Sequence, residues 1–211
     1  MASILIALTI GLPWVGALFV WWLGDSHPRW QHALAVIFSV GAGLAALALL
    51  PFRSAEAVFS LPVGGAFGDF SFTADGMGAF LAAIAAGIGS LAVIFSVDYM
   101  RGQAQLGRYY ALVLFFIGGM CGLVLTSNLF LLFLFWEITA LTSYGLISFY
   151  NDDPKAVAGG IKALIITQLG GVGLLAGALL AYAYLGSFEI SDLLAGAEKI
   201  PPNVLGILAF G

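Results

Sequence analysis

Two residues of this chain could move a proton, and both sit where a charge is costly. Glu137 lies in the middle of "LFLFWEITALTSY" (132–144), and Lys162 lies inside "GGIKALIITQLGG". Every other ionisable residue falls in or beside a polar segment. Placing a charge at the centre of a bilayer costs about 2.5–3.5 kcal/mol on insertion scales, so an intramembrane carboxylate or amine invites a functional reading. Such a pair titrates according to which other charges are near, which is what a proton-transfer site requires. Two plainer readings stand beside this one. Glu137 could be a protonated carboxyl that only packs, and Lys162 could be an anchor whose long stem snorkels to the surface.

Counting by three and four from Glu137 gives Ala140, Leu141, Tyr144 and Ser148, a strip that becomes polar toward one end of the helix. Tyr144 and Ser148 are therefore candidates to extend a proton relay. On consecutive helices joined by a short loop, Glu137 and Lys162 can face each other, each then shifting the other's ionisation by an amount set by their distance. Thr139, Thr142 and Ser143 point elsewhere and are expected to bond back to their own helix carbonyls.

Other chemistry finds little support. His27 and His32 lie in "GDSHPRWQH", read as a surface loop, without the pairing across two helices that a membrane haem needs. No glycine-rich phosphate cradle and no nucleophile–His–acid set is visible, so we expect no active site for covalent chemistry, no cofactor and no metal. The single cysteine, Cys121, in "GGMCGLVL", reads as helix packing.

The elements that must hold these residues follow from composition. The chain is 211 residues long, 62% hydrophobic and 9% charged, with a mean hydropathy of +1.07. That excludes an ordinary soluble domain, in which about a quarter of residues are charged. Seven Lys and Arg against eleven Asp and Glu give a net charge of -4 without a basic stripe, so nucleic acid is not a partner. The bilayer is.

A hydrocarbon core of about 30 Å asks for about 20 apolar residues per helix. Spans are predicted near 2–23, 31–51, 76–98, 108–126, 129–150 and 155–185. As one helix the run from Arg108 to Tyr150 would reach about 64 Å, so it must turn back, and "LTSN" (125–128) is its one polar interruption. In "NDDPKA", Asp153 can cap a helix whose first position is Pro154. The alternating segment "AVFSLPVGGAFGDFSFTAD" (57–75) predicts a short β-hairpin outside the membrane. With the N-terminus outside, Arg29, Arg101, Arg108 and Lys155 fall inside while Arg53 and Lys199 fall outside, the asymmetry expected of a multi-pass protein of the cell (inner) membrane. Small residues in "AAGIGS" (85–90) and "GGVGLLAGALLA" (170–181) are read as close helix packing. The expected architecture is an all-α membrane protein, residues 1–211 forming one transmembrane domain. It has six transmembrane helices plus the start of a seventh, and a short extracytoplasmic hairpin.

From about residue 68 to 194 the sequence resembles the antiporter-like subunits shared by respiratory complex I, membrane-bound hydrogenases and multisubunit Mrp cation/proton antiporters. "DYM" (98–100), "FWE" (135–137) and the lysine of "GGIKALIITQLGG" carry the resemblance in order and spacing, and "YLGSFEISDL" is most similar to the large A-type Mrp subunit. The resemblance implies that Glu137 is the fifth-helix glutamate of the family's ion pair and Lys162 a sixth-helix relay lysine. It implies two inverted repeats, each with a discontinuous helix, the broken seventh helix carrying a central lysine. That lysine is expected just beyond Gly211, so the chain corresponds to an N-terminal part of such a subunit, either a fragment or one member of a split pair. The implied activity is ion translocation, of protons or of Na⁺ against protons, with other membrane subunits as partners. Among these is a chain carrying the second half. The alternatives are a proton-pumping subunit of a complex I or hydrogenase assembly, and a scaffold that conducts nothing.

Overall fold

The computed structural model describes residues 1–52, 58–62, 69–202 and 204. Among these described residues six helices are long and apolar enough to cross a membrane: α1 (Ala2–Leu23), α2 (Pro28–Leu49), α3 (Gly76–Tyr99), α4 (Leu106–Leu125), α5 (Leu129–Ile147) and α6 (Pro154–Leu185). The first five are 19 to 24 residues long, about 29–36 Å at 1.5 Å per residue, close to one bilayer core. The 32 residues of α6 would reach about 48 Å and require tilt or protrusion. A short helix, α7 (Ile190–Gly196), follows. The second span starts three residues earlier than the hydropathy alone predicts, because Pro28 is well suited to a first helical turn. The fifth ends three residues earlier, at Ile147.

Side chains set the helix starts. Asp75 accepts from the Gly78 N–H at 2.6 Å, Asn128 from Leu131 at 3.0 Å, and Asp153 from Lys155 at 2.9 Å with Pro154 next to it. The N-cap of α4, Gln105, lies in the left-handed region (φ 61) and makes no side-chain cap bond. Asp25, from the single 3-10 turn after α1, replaces it: its carboxylate accepts from the Gln105 and Gly107 N–H groups, both at 3.0 Å. A distant carboxylate thus neutralises donors and meets the positive helix end.

The bundle is organised around α4, which packs on α1, α3 and α5. Its glycines allow this. A side chain at Gly118 would overlap the Trp14 ring, and one at Gly122 the Phe135 ring. Cys121 is fully buried and points toward the Ala82 carbonyl, in keeping with a packing role. Helix α6 is different: it packs on α5 and α7 and leaves Ile165, Ile166, Leu169 and Val172 exposed.

One end of the bundle is tied together by the hairpin. Strand β1 (Val58–Leu61) pairs antiparallel with β2 (Phe70–Thr73), Val58 opposite Thr73 and Leu61 opposite Phe70. The turn of the hairpin (63–68) lies outside the described residues, as does most of the apolar segment after Pro202 expected to begin a seventh span. Phe72 inserts under α5, its ring edge-on to Phe135 at 5.9 Å. Beyond it the α4–α5 corner is held from both sides. The Ser127 N–H donates to the Ser71 carbonyl (3.0 Å), and its own carbonyl accepts from the Ile190 N–H (2.9 Å).

Candidate functional site

Glu137 stands near the middle of α5, eight residues after Leu129 and ten before Ile147, so about 12–15 Å from either end. Its Oε1 is buried and has no hydrogen-bond partner among the described residues. It is aimed at α6, where Gly171 provides the space: a Cβ there would collide with Oε1. The neighbouring Trp136 also reaches α6, its Nε1–H donating to the Thr167 carbonyl at 3.4 Å. The carboxyl group therefore places one oxygen in a glycine-lined notch beside an indole, the residue as a whole being half-buried. An unpartnered buried carboxyl oxygen costs on the order of 1–3 kcal/mol unless something occupies that lone pair. A proton on the carboxyl, an ion or a water would relieve it.

The strip below Glu137 faces the same helix. Tyr144 and Ser148 lie against Gly160, where an added Cβ would come within 3.2 Å of the Tyr144 ring and 2.9 Å of Ser148 Cβ. Glu137 and Ser148 are eleven residues apart, as are Gly171 and Gly160. Eleven residues are about three helical turns, so two antiparallel helices match bulky residues to glycines at both levels. Tyr144 is half-buried and Ser148 buried. Ser148 Oγ donates back to the Tyr144 carbonyl at 2.6 Å, and no direct hydrogen bond joins either residue to Glu137 among the described residues. Axial distances of about 10 and 16 Å separate them from the carboxyl. Thr139 and Thr142 bond back to Trp136 and Ile138 carbonyls, both at 2.8 Å.

Lys162 is not brought to Glu137. It is exposed, and it precedes Gly171 by nine residues, which is half a turn around α6 and about 13 Å along it. The two groups, which consecutive helices could have brought face to face, do not meet. The helices are adjacent as expected, but the rotation of α6 is set by Gly160 and Gly171 packing on α5, and this turns the lysine outward.

Two further polar groups escaped the sequence reading. His32 is not in a loop: it lies in the first turns of α2, and its Nδ1 is 2.6 Å from the hydroxyl of the fully buried Tyr110. At the hairpin end Glu189 accepts from Ser71 Oγ at 2.6 Å, and Asn128 Nδ2 lies 3.5 Å away. Ser127 Oγ donates to Ser71 Oγ at 2.9 Å. Three segments far apart in sequence meet there, which a local pattern does not reveal. Among the described residues no group of three or more His, Cys, Asp or Glu comes together as a metal site.

A helical bundle with a mid-membrane carboxyl defines a class of membrane subunit, and comparison with known proteins supplies the family. Residues 126–210 match the family described as NADH:quinone oxidoreductase/Mrp antiporter, transmembrane region. Residues 61–110 match that described as NADH-ubiquinone oxidoreductase (complex I), chain 5 N-terminus. The chain is 39% identical over 141 residues to Na(+)/H(+) antiporter subunit A1 of Staphylococcus haemolyticus, and 38% identical over the same length to that of Staphylococcus aureus. Each alignment takes in 67% of this chain and 18% of the relative, so the chain spans less than a fifth of the length of these curated proteins. In fold it resembles a chain of the Mrp complex from Dietzia sp. DQ12-45-1b, with a TM-score of 0.82, 24% identity, and coverage of 99% of this chain and 22% of that one. It also resembles a chain of the membrane-bound sulfane sulfur reductase, an archaeal respiratory membrane complex. There the TM-score is 0.75 and the identity 23%, with coverage of 96% and 42%. The chain belongs to the antiporter-like membrane subunit family.

Proposed function

We propose that this chain is the N-terminal part of an ion-translocating subunit that passes protons, or exchanges them for Na⁺, within a multisubunit membrane complex, and that Glu137 is its proton-transfer group. The observation that carries this reading is the buried, unpartnered Oε1 of Glu137 held in a notch at Gly171. A carboxyl group kept only for packing would be expected to satisfy both oxygens, whereas a group that takes up and releases a proton needs one oxygen open to a transient partner. Tyr144 and Ser148, on the same face, would extend the path toward the Lys155 end through intervening water. Lys162 would act as a relay from the outer face of α6, reached through whatever packs there. The relatives are named as antiporter subunits, which supports exchange as the activity.

The partners follow from the same geometry. The uncovered face of α6, with Lys162 in its midst, is the surface on which the remainder of the subunit, in the same or a second chain, would pack. The proposed setting is the cell (inner) membrane with the N-terminus outside, from the distribution of Lys and Arg. The test is proton-coupled cation exchange in vesicles containing the intact complex. Glu137→Gln and Glu137→Ala should assemble and lose coupled exchange. Exchange at the unaltered rate in either variant would remove Glu137 from the path.

A further inference from the structure

At the end of the bundle opposite the hairpin, a groove of about 1030 Å³ opens between the start of α2, the end of α3 and the start of α4. It lies just above the roughly 300–1,000 Å³ typical of small-ligand sites, and its lining is of two chemical kinds. Val36 and Ile37, two turns into α2, and Val97 near the end of α3 give it an aliphatic lining, whereas Arg29 and His32 in the first turns of α2 and Arg101 just after α3 give it a polar one.

Aromatic residues fix the depth of that polar lining. Trp21, Trp22, Trp30 and Tyr99 are all exposed at this same end of α1, α2 and α3. Such a ring of amphipathic side chains marks the level of the lipid headgroups. The arginines are therefore presented at phosphate depth, and the aliphatic lining runs from there into the hydrocarbon.

We propose that this groove binds one anionic glycerophospholipid, its acyl chain on Val36, Ile37 and Val97 and its phosphate between Arg29 and Arg101. Charge complementarity carries the choice of occupant. Among the described residues no acid lines the groove, Asp98 standing at its edge on Arg101, and Arg29 makes no ion pair or hydrogen bond. Arg101 gives one Nη2–H to Asp98 at 2.7 Å, leaving other donors of its planar fork free for a phosphate. The acid at this end of α1, Asp25, is held by the α4 N-terminus. His32 completes the donor set. When Tyr110 donates to its Nδ1, the ring proton resides on Nε2, a neutral donor in the polar lining. A neutral zwitterionic lipid would bring its own cation against the two arginines. Basic pockets between helices at headgroup level are suited to anionic headgroups.

The test uses the intact complex, purified in detergent and offered either dioleoylphosphatidylglycerol or dioleoylphosphatidylcholine, with bound lipid counted by native mass spectrometry. The wild-type complex should retain one more phosphatidylglycerol than the Arg29→Gln/Arg101→Gln double variant, whose retention at that site falls about tenfold or more. Ile37→Trp, which fills the apolar part without touching a charge, should lose the same lipid. Assembly of each variant is read in the same spectrum. Equal phosphatidylglycerol retention by wild type and both variants would overturn the proposal. So would equal retention of phosphatidylcholine, or displacement of the lipid by millimolar inorganic phosphate, which would make the site a reader of free anions. A partner subunit covering the groove would show as wild-type complex carrying no variant-sensitive lipid, and that too would overturn it.

Discussion

If Glu137 depends on the notch at Gly171, a single methyl group placed there should disable it. In Gly171→Ala the new Cβ would clash with Oε1, so the carboxyl must rotate away or the two helices must separate. Overpacking of this kind costs about 1–3 kcal/mol. Alanine is favoured over glycine in a helix interior by about 1 kcal/mol, which leaves a net destabilisation of about 0–2 kcal/mol spread over a six-helix bundle. Stability should thus change little, while the carboxyl moves by an ångström or more, a displacement that lowers a geometry-dependent step by up to about 100-fold. The assay pairs thermal unfolding of the purified complex with cation-dependent proton flux in vesicles. Gly170→Ala is the control, because its Cβ would meet the Trp136 ring at an ordinary 3.7 Å. We expect Gly171→Ala to lose at least about tenfold in flux with little loss of stability, and Gly170→Ala to retain it. Equal flux in the two variants would show that the notch does not position the carboxyl.

Three further outcomes are expected. Asp25→Ala removes the acceptor of two N–H groups at the start of α4 and should destabilise the bundle by about 1–2 kcal/mol, measured by denaturation in detergent; an unchanged midpoint would show that water replaces the cap without loss. Glu189→Ala removes the acceptor of the Ser71 hydroxyl and should speed amide exchange in β2 and at the α4–α5 corner, whereas unchanged protection of Ser71–Thr73 would mean that the backbone bonds suffice. For orientation, an impermeant maleimide should label Ser60→Cys in intact cells and Gln103→Cys only after permeabilisation, with the buried Cys121 silent; the opposite pattern would invert the topology.

The helices were legible because a bilayer imposes a length and a composition that few other contexts share, and because local signals such as Asp153 before Pro154 mark their starts. The antiparallel hairpin of α4 and α5 followed from the single polar break at 125–128. Glu137 stood out for the same energetic reason: a carboxylate in that run is costly. What surrounds it was not. Adjacency of α5 and α6 says nothing about their rotation, and nine residues are enough to turn Lys162 to the far side. The glycine pairs at 159–160 and 170–171, one three-turn repeat apart, contained that information, but only once matched against Glu137 and Ser148 on the antiparallel neighbour. The cap from Asp25, the His32–Tyr110 contact and the tie between Ser71 and Glu189 join residues about 80 to 120 positions apart, beyond any local pattern. At seven residues α7 falls well short of the membrane ruler.

The most direct test of the account is infrared difference spectroscopy of the intact complex as an ion gradient is applied. A carboxyl C=O band that appears or vanishes with the gradient, and is missing in Glu137→Gln, is the expected result. A band unchanged by that substitution, or the absence of any carboxyl change during turnover, would contradict the claim that Glu137 carries the proton.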